Sequence, residues 1–372
     1  MLSRGAGRRY YVAMEHKRSF PEISPSAWEH PADRAALAAF ASLPLAGELL
    51  RRAIGSTTER SLRLGFLANA ARATDSQFAP IRAILVQAAE RLDLKPLPEL
   101  YVRLDPAPDV RTLGVESPFI VVTSGALELW DEEELAAILA HEVGHILSGH
   151  AVYKTLLALV LRASSLVAGA LPLGGAALAA ASAALREWDR KSELSADRAA
   201  LVATQDPPIL LHALMKSAAG PKLALMDINE FFRQARDYEV GEGGLDSIFK
   251  LLDILGETHP FPIVRMVAIQ EWERVGEYRE ILAGNYPRRG QGEERDPEKD
   301  FERARASYER EFAESQDPLS QAAGKMFDAI GEMLGRAGQG AGRPPRQESE
   351  RGGSGKASSI EDAIDEIFGK RG

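Results

Sequence analysis

Apolar residues recur along most of this chain at the spacing of amphipathic helices. Between Ala32 and Leu92 they stand three or four positions apart, so that one side of each helix would be apolar. The same spacing returns further along the chain, in Leu185–Ala203, Pro208–Ala218, Leu245–Leu255 and Val264–Val275. The pattern predicts a chain that is mostly helical.

Two short segments follow a different pattern. Glu99–Leu104 and Phe119–Thr123 each follow a proline and are rich in β-branched, aromatic and aliphatic residues, which is typical of strands. We predict that both belong to one small sheet. The predicted fold class is therefore α+β with a predominance of helix.

The clearest helix start lies at Asp131. A glutamate follows it three positions later, as in a capping box, and Glu132–Glu134 places negative charge at the positive end of the helix dipole. The predicted helix continues through the sequence ELAAILAHEVGHILSGH.

The chain divides into three predicted regions. Residues 1–74 form a helical N-terminal region, and residues 75–285 form the body that contains the strands and the capped helix. Residues 286–372 are densely charged and rich in glycine, which is typical of a partly disordered tail. Apolar stripes at 322–334 and 360–368 are either transient helices or docking helices for a partner or for the body.

The composition limits the chemistry. The chain has no cysteine, which excludes disulfides, thiolate metal sites and cysteine nucleophiles. A bound metal would need histidine, aspartate or glutamate ligands, and the chain has 7 histidines. The net charge of -9 argues against nucleic acid as a partner, because phosphate binding requires a basic face.

No segment reads clearly as a signal peptide or a membrane span. The first twenty residues lack a long apolar run, so we expect a cytoplasmic protein that is not secreted. Ala163–Leu185 is uncharged but rich in alanine and interrupted by a Pro-Leu-Gly-Gly sequence, which favours a helical hairpin. The 35 residues between His150 and Arg186 are too few for two membrane crossings of about 20 residues each with a turn. Peripheral membrane contact through 155–185 stays open as the alternative.

The sequence His141-Glu142-Val143-Gly144-His145 carries the main chemical signal. Residues four apart lie about 40° apart around a helix, so both imidazoles can bind one cation while Glu142 reaches a water molecule. This HExxH pattern is typical of zinc hydrolases. The alternative is an ordinary helix whose two histidines are surface or core residues.

A catalytic zinc site needs a third protein ligand. His150 would point about 140° away from His145 on a continuing helix, so we interpret it as a residue that caps or packs the helix end. Glu193 is the better candidate, because Asp197 follows four positions later and can hydrogen-bond a ligand imidazole from behind.

Two alternatives compete with this assignment. Glu187 could be the third ligand, but the residue four positions after it is Lys191, a cation that cannot accept that hydrogen bond. Glu193 and Asp197 could also form an exposed charged face that pairs with nearby arginines.

Three segments together resemble a known family. DEEELAAILAHEVGHILSGH, RKSELSADRAA and THPFPIVRM are similar to the zinc metallopeptidases grouped with the CAAX prenyl proteases and the HtpX-like membrane proteases. The resemblance covers roughly residues 75–275. It implies a gluzincin fold, endopeptidase activity and a small sheet whose edge strand binds the substrate backbone. The chain lacks the flanking spans of the integral-membrane relatives and looks more like the soluble branch.

The resemblance also implies roles for the motif residues. It implies one zinc ion per chain, with His141, His145 and Glu193 as ligands and with Glu142 as the general base. Asp197 matches a catalytic carboxylate that is sometimes assigned as a proton donor, although a carboxylate bonded to a zinc-bound imidazole should stay ionised.

Two further positions carry open questions. His259 matches a position near the metal that either stabilises the transition state or plugs the site, and a loop histidine needed only for the turn is the alternative. The chain has Asp109–Gly114 where many relatives carry Asn-Ala, which leaves the alignment of substrate open.

Two functional hypotheses follow. The first is a zinc endopeptidase that cleaves misfolded or membrane-associated polypeptides through a metal-activated water, in protein quality control, with polypeptide substrates as its partners. The second is a zinc-bearing binding or scaffold protein in which His259 occupies the open position at the metal.

Overall fold

A computed structural model describes most of the body of the chain. The described residues are 17–31, 33–34, 36–37, 56–158, 174–240 and 262–290. In the Pro-Leu-Gly-Gly sequence that was predicted to form a turn, Gly174 and Gly175 are described and are helical, whereas Pro172 and Leu173 lie outside the described residues. Further predictions also lie outside these residues: those on Leu245–Leu255, on His259, and on the tail stripes 322–334 and 360–368. They stay predictions.

The described residues contain one sheet of four strands. The strands are β1 (Ala71–Arg72), β2 (Glu99–Arg103), β3 (Val110–Leu113) and β4 (Phe119–Thr123), in the order β1-β2-β4-β3. Strands β2 and β4 run parallel, with Leu100 opposite Ile120, and the other pairs are antiparallel. Both predicted strands are confirmed. Strand β4 is buried throughout, whereas β3 is an edge strand with β4 as its one partner among the described strands.

The described residues also form helices. They are α1 (Ser56–Asn69), α2 (Ala79–Arg91), α3 (Ser124–Leu129), α4 (Glu132–Leu147), α5 (Gly174–Thr204), α6 (Pro207–Ala219), α7 (Ile228–Val240), α8 (Pro262–Val275) and α9 (Glu277–Ala283). Residues 151–158 are also helical. The predicted class, mostly helix with one small sheet, is confirmed.

One helical prediction is wrong in detail. The spacing predicted helix without a break through Arg72, but α1 ends at Asn69 and Ala71 pairs with Val102 of β2. A strand of two residues has no period of its own, so pairing with β2 determines its conformation.

The capping box of α4 is confirmed. The Asp131 carboxylate accepts hydrogen bonds from the backbone N–H groups of Glu133 and Glu134, at 3.1 and 3.0 Å, and the Glu134 carboxylate accepts one from the Asp131 N–H. Every residue from Leu135 to His145 is buried. Helix α4 is therefore a core helix, apolar nearly all around and with its few polar groups deep inside the protein.

The N-terminal segment, described at residues 17–31, 33–34 and 36–37, is packed into the same core. Residues 17–30 contain a short 3-10 helix at Pro25–Ala27 and are otherwise without helix or strand, and the described residues from 31 to 37 are helical. Phe20, Ile23 and Trp28 are nonetheless fully buried in the main hydrophobic cluster. The segment is part of the folded body.

The alanine-rich segment is described only in part. Helix α5 begins at Gly174, earlier than the start predicted at Leu185. None of the helices in the described ranges is both long enough and apolar enough to cross a bilayer. Membrane contact through 155–185 stays a prediction.

Candidate metal centre

Three predicted ligand side chains converge between α4 and α5. The Nε2 atoms of His141 and His145, one turn apart on α4, are 3.0 Å from each other. From α5, Glu193 places Oε2 3.2 Å from Nε2 of His141 and Oε1 3.2 Å from Nε2 of His145. The two segments, far apart in sequence, therefore meet at one point.

These separations fit a tetrahedral metal ion. Bonds of about 2.0–2.2 Å in a tetrahedron set neighbouring ligand atoms about 3.3–3.6 Å apart. The three observed separations, between 3.0 and 3.2 Å, are close to the lower end of that range. Within the described part of the chain, these residues are the group of histidines and carboxylates that could hold a metal ion. Three protein ligands are also the number that catalytic zinc sites use.

The burial of this group excludes the alternative interpretations that place these side chains at the surface. His145 is 0% exposed, Glu193 2% and Asp197 1%. The interpretation of Glu193 and Asp197 as an exposed charged face is therefore wrong, and the two histidines of α4 are not surface residues. Polar groups this deep need partners or an ion to offset the loss of hydration.

Asp197 lies directly behind His141. Its Oδ1 is 3.0 Å from Nδ1 of the imidazole. Arg265, on α8, donates two hydrogen bonds to the same carboxylate, at 2.7 Å to Oδ2 and 2.5 Å to Oδ1. Burial raises the pKa of Asp197, but Arg265 outweighs it and the net pKa is lowered. An ionised Asp197 accepts the Nδ1–H of His141, which directs the Nε2 lone pair toward the proposed ion.

His150 lies behind His145 and is not part of the group that could hold a metal ion. The chain turns at Gly149, which has a φ of 74°, so His150 is not on the continuation of α4. Its Nδ1 lies 2.9 Å from Nδ1 of His145, on the side of that ring away from Glu193.

Glu142 lies beside the predicted ligands, facing strand β3. The hydroxyl of Thr112, in β3, donates a hydrogen bond to Oε2 of Glu142 at 2.7 Å. Burial raises the pKa of Glu142 to about 7, although the positive charges of His141 and Lys154 oppose it. A carboxyl group with a pKa near neutrality is suited to both accepting and donating a proton.

A partly buried cation also contacts the site. Lys154, in the helical residues 151–158, donates from Nζ to Oε1 of Glu193 at 2.7 Å and to Oδ1 of Asp189 at 2.8 Å. Burial lowers the pKa of Lys154, but the two carboxylates outweigh it and raise the pKa above its ordinary value. Lys154 is therefore protonated and fixes one oxygen of the third proposed ligand.

The charge of the site depends on whether His141 is protonated. Four carboxylates lie beside two cations: Glu142, Asp189, Glu193 and Asp197 beside Lys154 and Arg265. In the metal-free protein a protonated His141 adds a third positive charge. Where both histidines are neutral and the four carboxylates are ionised, two negative charges have no counter-charge, and a divalent ion would offset them.

The two proposed histidine ligands differ in their protonation. Burial opposes the charged form of His141, but Glu193 and Asp197 outweigh it and raise the pKa of His141 to about 9. Burial and the charge of Lys154 hold the pKa of His145 well below its ordinary value. A metal ion that binds at neutral pH therefore displaces a proton from His141 and finds His145 already neutral.

Several residues of the site were not found from the sequence. Thr112, Lys154 and Asp189 were assigned no role, and Arg265 lay unnoticed in the motif THPFPIVRM. None of them carries a signal in its own neighbourhood, since a threonine in a strand or a lysine in a helix is ordinary. His259 lies outside the described residues.

The class of protein follows from comparison with known families. A pattern for peptidase family M48 matches residues 75–273, which include both helices of the site. The chain belongs to peptidase family M48.

Several relatives found by sequence comparison carry peptidase names. The plastoglobule-localized metallopeptidase 48 of Arabidopsis thaliana chloroplasts is 33% identical over 271 residues, which cover 71% of this chain and 77% of the relative. An HtpX protease homologue of Ralstonia pickettii is 26% identical over 49% of this chain and 70% of its own length. One of Tropheryma whipplei is 42% identical, but the match spans 18% of that protein. No solved structure matches the chain.

Proposed function

We propose that this protein is a zinc-dependent endopeptidase, with His141, His145 and Glu193 as zinc ligands and with Glu142 as general base. The observation that carries the proposal is the buried convergence of the three ligand side chains at separations of 3.0–3.2 Å, with the Glu142 carboxyl on the same helix.

The ligand set supports zinc in particular. Two imidazoles and one carboxylate form a ligand set that catalytic zinc uses in other peptidases. When bound there, zinc would lower the pKa of a water molecule to about 7 and polarise the peptide carbonyl.

Glu142 first accepts and then donates the proton that the reaction transfers. Thr112 holds one of its oxygens at 2.7 Å, and the other oxygen is available to the attacking water. Glu142 takes a proton as the water oxygen bonds to the carbonyl carbon. It returns that proton to the amide nitrogen as the carbon–nitrogen bond breaks, so that an amine and a carboxylic acid leave.

Asp197 acts as a positioning residue in this proposal. Its carboxylate is held by Arg265 and bonds the Nδ1 atom of His141. An ionised group in that position accepts hydrogen bonds and has no proton to give to the leaving amine. Proton donation by Asp197, as the family resemblance suggests, is therefore not part of the mechanism proposed here.

The edge strand supports a polypeptide substrate. Strand β3 carries Thr112, which touches Glu142, so the strand passes directly by the site. An extended peptide can add to the outer edge of such a strand through backbone hydrogen bonds. Folded proteins rarely expose a segment in this conformation, so we propose unfolded or misfolded polypeptides as substrates and a role in protein quality control.

The test is substitution of the proposed base. Glu142→Gln should keep one zinc per chain and lose cleavage of an unfolded protein such as casein, because the amide cannot take the proton. Glu133→Gln, at an exposed position of the same helix, is the control and should cleave normally. Wild-type cleavage by Glu142→Gln would overturn the proposed mechanism.

A further inference from the structure

We propose that the N-terminal segment completes the metal centre: Asp33, acting through His150, orients the imidazole of His145 as a metal ligand. This proposal rests on the proposed function, in which His145 binds the metal. It assigns a positioning role to a carboxylate that lies before residue 75, where the match to the family pattern begins.

A continuous chain of hydrogen bonds links the three side chains. Nδ1 of His145 is 2.9 Å from Nδ1 of His150, and Nε2 of His150 is 3.0 Å from Oδ2 of Asp33. If Nε2 of His145 binds metal, its Nδ1 carries the proton and donates to His150. His150 then carries its own proton on Nε2 and donates it to Asp33. Each ring nitrogen of the two histidines therefore has a single role, as metal ligand, donor or acceptor.

Helix α5 holds Asp33 in place. The hydroxyl of Ser195 donates to Oδ2 of Asp33 at 2.6 Å, and the indole N–H of Trp188 donates to Oδ1 at 3.0 Å. Asp33 and His150 are each 2% exposed. A buried carboxylate with three directed donors is a rigid acceptor, which is what the orientation of His150 requires.

The two histidine ligands are thus supported in parallel ways. Asp197 contacts His141 directly, from the same helix that supplies Glu193. His145 has His150 at the equivalent position, and the carboxylate behind it comes from the N-terminal segment. Partners behind a ligand imidazole fix its tautomer and ring orientation, and their loss typically weakens metal affinity about 10–100-fold.

The experiment measures zinc affinity of the full-length protein by competition with a chelator. Asp33→Asn keeps the shape of the side chain but removes its charge, and should weaken zinc binding about 10-fold or more. Trp28→Phe is the matched control. It removes a hydrogen bond of 3.1 Å from the same segment to Ser148 and leaves the chain from Asp33 to His145 untouched, so its zinc affinity should stay at the wild-type value.

A double-mutant comparison separates orientation from general stability. If Asp33 acts through His150, Asp33→Asn should have no further effect on zinc affinity in a His150→Ala background. His150→Asn should bind zinc more tightly than His150→Ala, because the amide oxygen can accept the Nδ1–H of His145. The visible spectrum of the cobalt-substituted protein should change in Asp33→Asn and not in Trp28→Phe.

Clear outcomes would overturn the proposal. Wild-type zinc affinity in Asp33→Asn or in His150→Ala would do so, and so would independent, multiplying effects of the two substitutions. If Asp33→Asn does not fold, the ranking of His150→Asn and His150→Ala decides, and equal affinities contradict the proposal. If the metal site itself were wrongly assigned, Glu193→Ala would also keep its zinc. That result distinguishes failure of the proposed function from failure of the role proposed for Asp33.

Discussion

Gly144 lies so close to Ala199 that no side chain fits between them. A Cβ atom on Gly144 would stand 2.5 Å from the Cβ of Ala199, whereas carbon atoms pack at about 3.5–4.0 Å. The two histidines of the site flank Gly144 on α4, and the glutamate lies on α5 with Ala199. This contact therefore sets the distance between the helices that carry the proposed ligands.

Gly144→Ala should force these helices apart. Overpacking costs about 1–3 kcal/mol in typical cores, and we expect the upper end because a Cβ opposite a Cβ cannot rotate away. Alanine recovers only about 1 kcal/mol through helix propensity. The free energy of unfolding in urea should fall, and zinc should bind more weakly. Gly65→Ala, in α1 and with nothing within 4 Å, is the control and should be neutral or stabilising. Wild-type zinc affinity in Gly144→Ala would contradict this account.

Removal of the Thr112 hydroxyl should change the pH dependence of cleavage. Thr112→Val deletes the donor that stabilises the charged form of Glu142, so the pKa of Glu142 should rise. The acidic limb of the pH–activity profile should then shift to higher pH, with zinc content unchanged. Thr112→Ser keeps a hydroxyl and should behave like the wild type. The measurement is kcat/KM against pH, and superimposable profiles for valine and serine would count against the role of Glu142.

The metal-free protein should become less stable as the pH rises from 7 to 9. His141 has a folded-state pKa of about 9, and an unfolded value near 6.5. The contribution of protonated His141 to the free energy of unfolding is complete below about pH 6.5 and is lost as the pH passes 9. Between these values the free energy of unfolding should fall with a slope approaching about 1.4 kcal/mol per pH unit. The zinc-loaded protein has metal in place of this proton and should lack the slope. The measurement is the free energy of unfolding in urea at pH 7, 8 and 9, with EDTA and with zinc. The same dependence on pH in the metal-free and the zinc-loaded protein would contradict the prediction.

Lys154 should matter most when no metal is bound. Lys154→Met leaves Asp189 and Glu193 buried without their shared cation, a loss typically worth about 3–5 kcal/mol in the metal-free protein. Zinc compensates Glu193, so the loaded protein should lose less stability and the variant should bind zinc more tightly than the wild type. Lys95→Met removes an exposed pair with Asp93 and is the control. Equal losses with and without zinc would show that Lys154 does not share Glu193 with the metal.

The sequence revealed those parts of the site that local spacing encodes. The capping box at Asp131, the pair His141 and His145, and the pair Glu193 and Asp197 each depend on residues three or four positions apart on one helix. Such spacings translate directly into a shared helix face, so the predicted ligands met as expected.

The remaining parts depend on contacts between distant segments. Arg265 reaches Asp197 across 68 positions, and His150 of the body meets Asp33 of the N-terminal region. Nothing in the neighbourhood of a lone arginine or aspartate indicates which buried group it will meet. The short strand β1 was missed for the same reason, because its conformation is set by β2.

The most direct test of the whole account is the metal content of purified protein. Wild-type protein should hold one zinc ion per chain, and Glu193→Ala should lose it, because two histidines alone leave the site one ligand short. Glu187→Ala, at the competing glutamate of the same helix, should keep its zinc. Full zinc content in Glu193→Ala, or loss of zinc in Glu187→Ala, would contradict the assignment of the metal site.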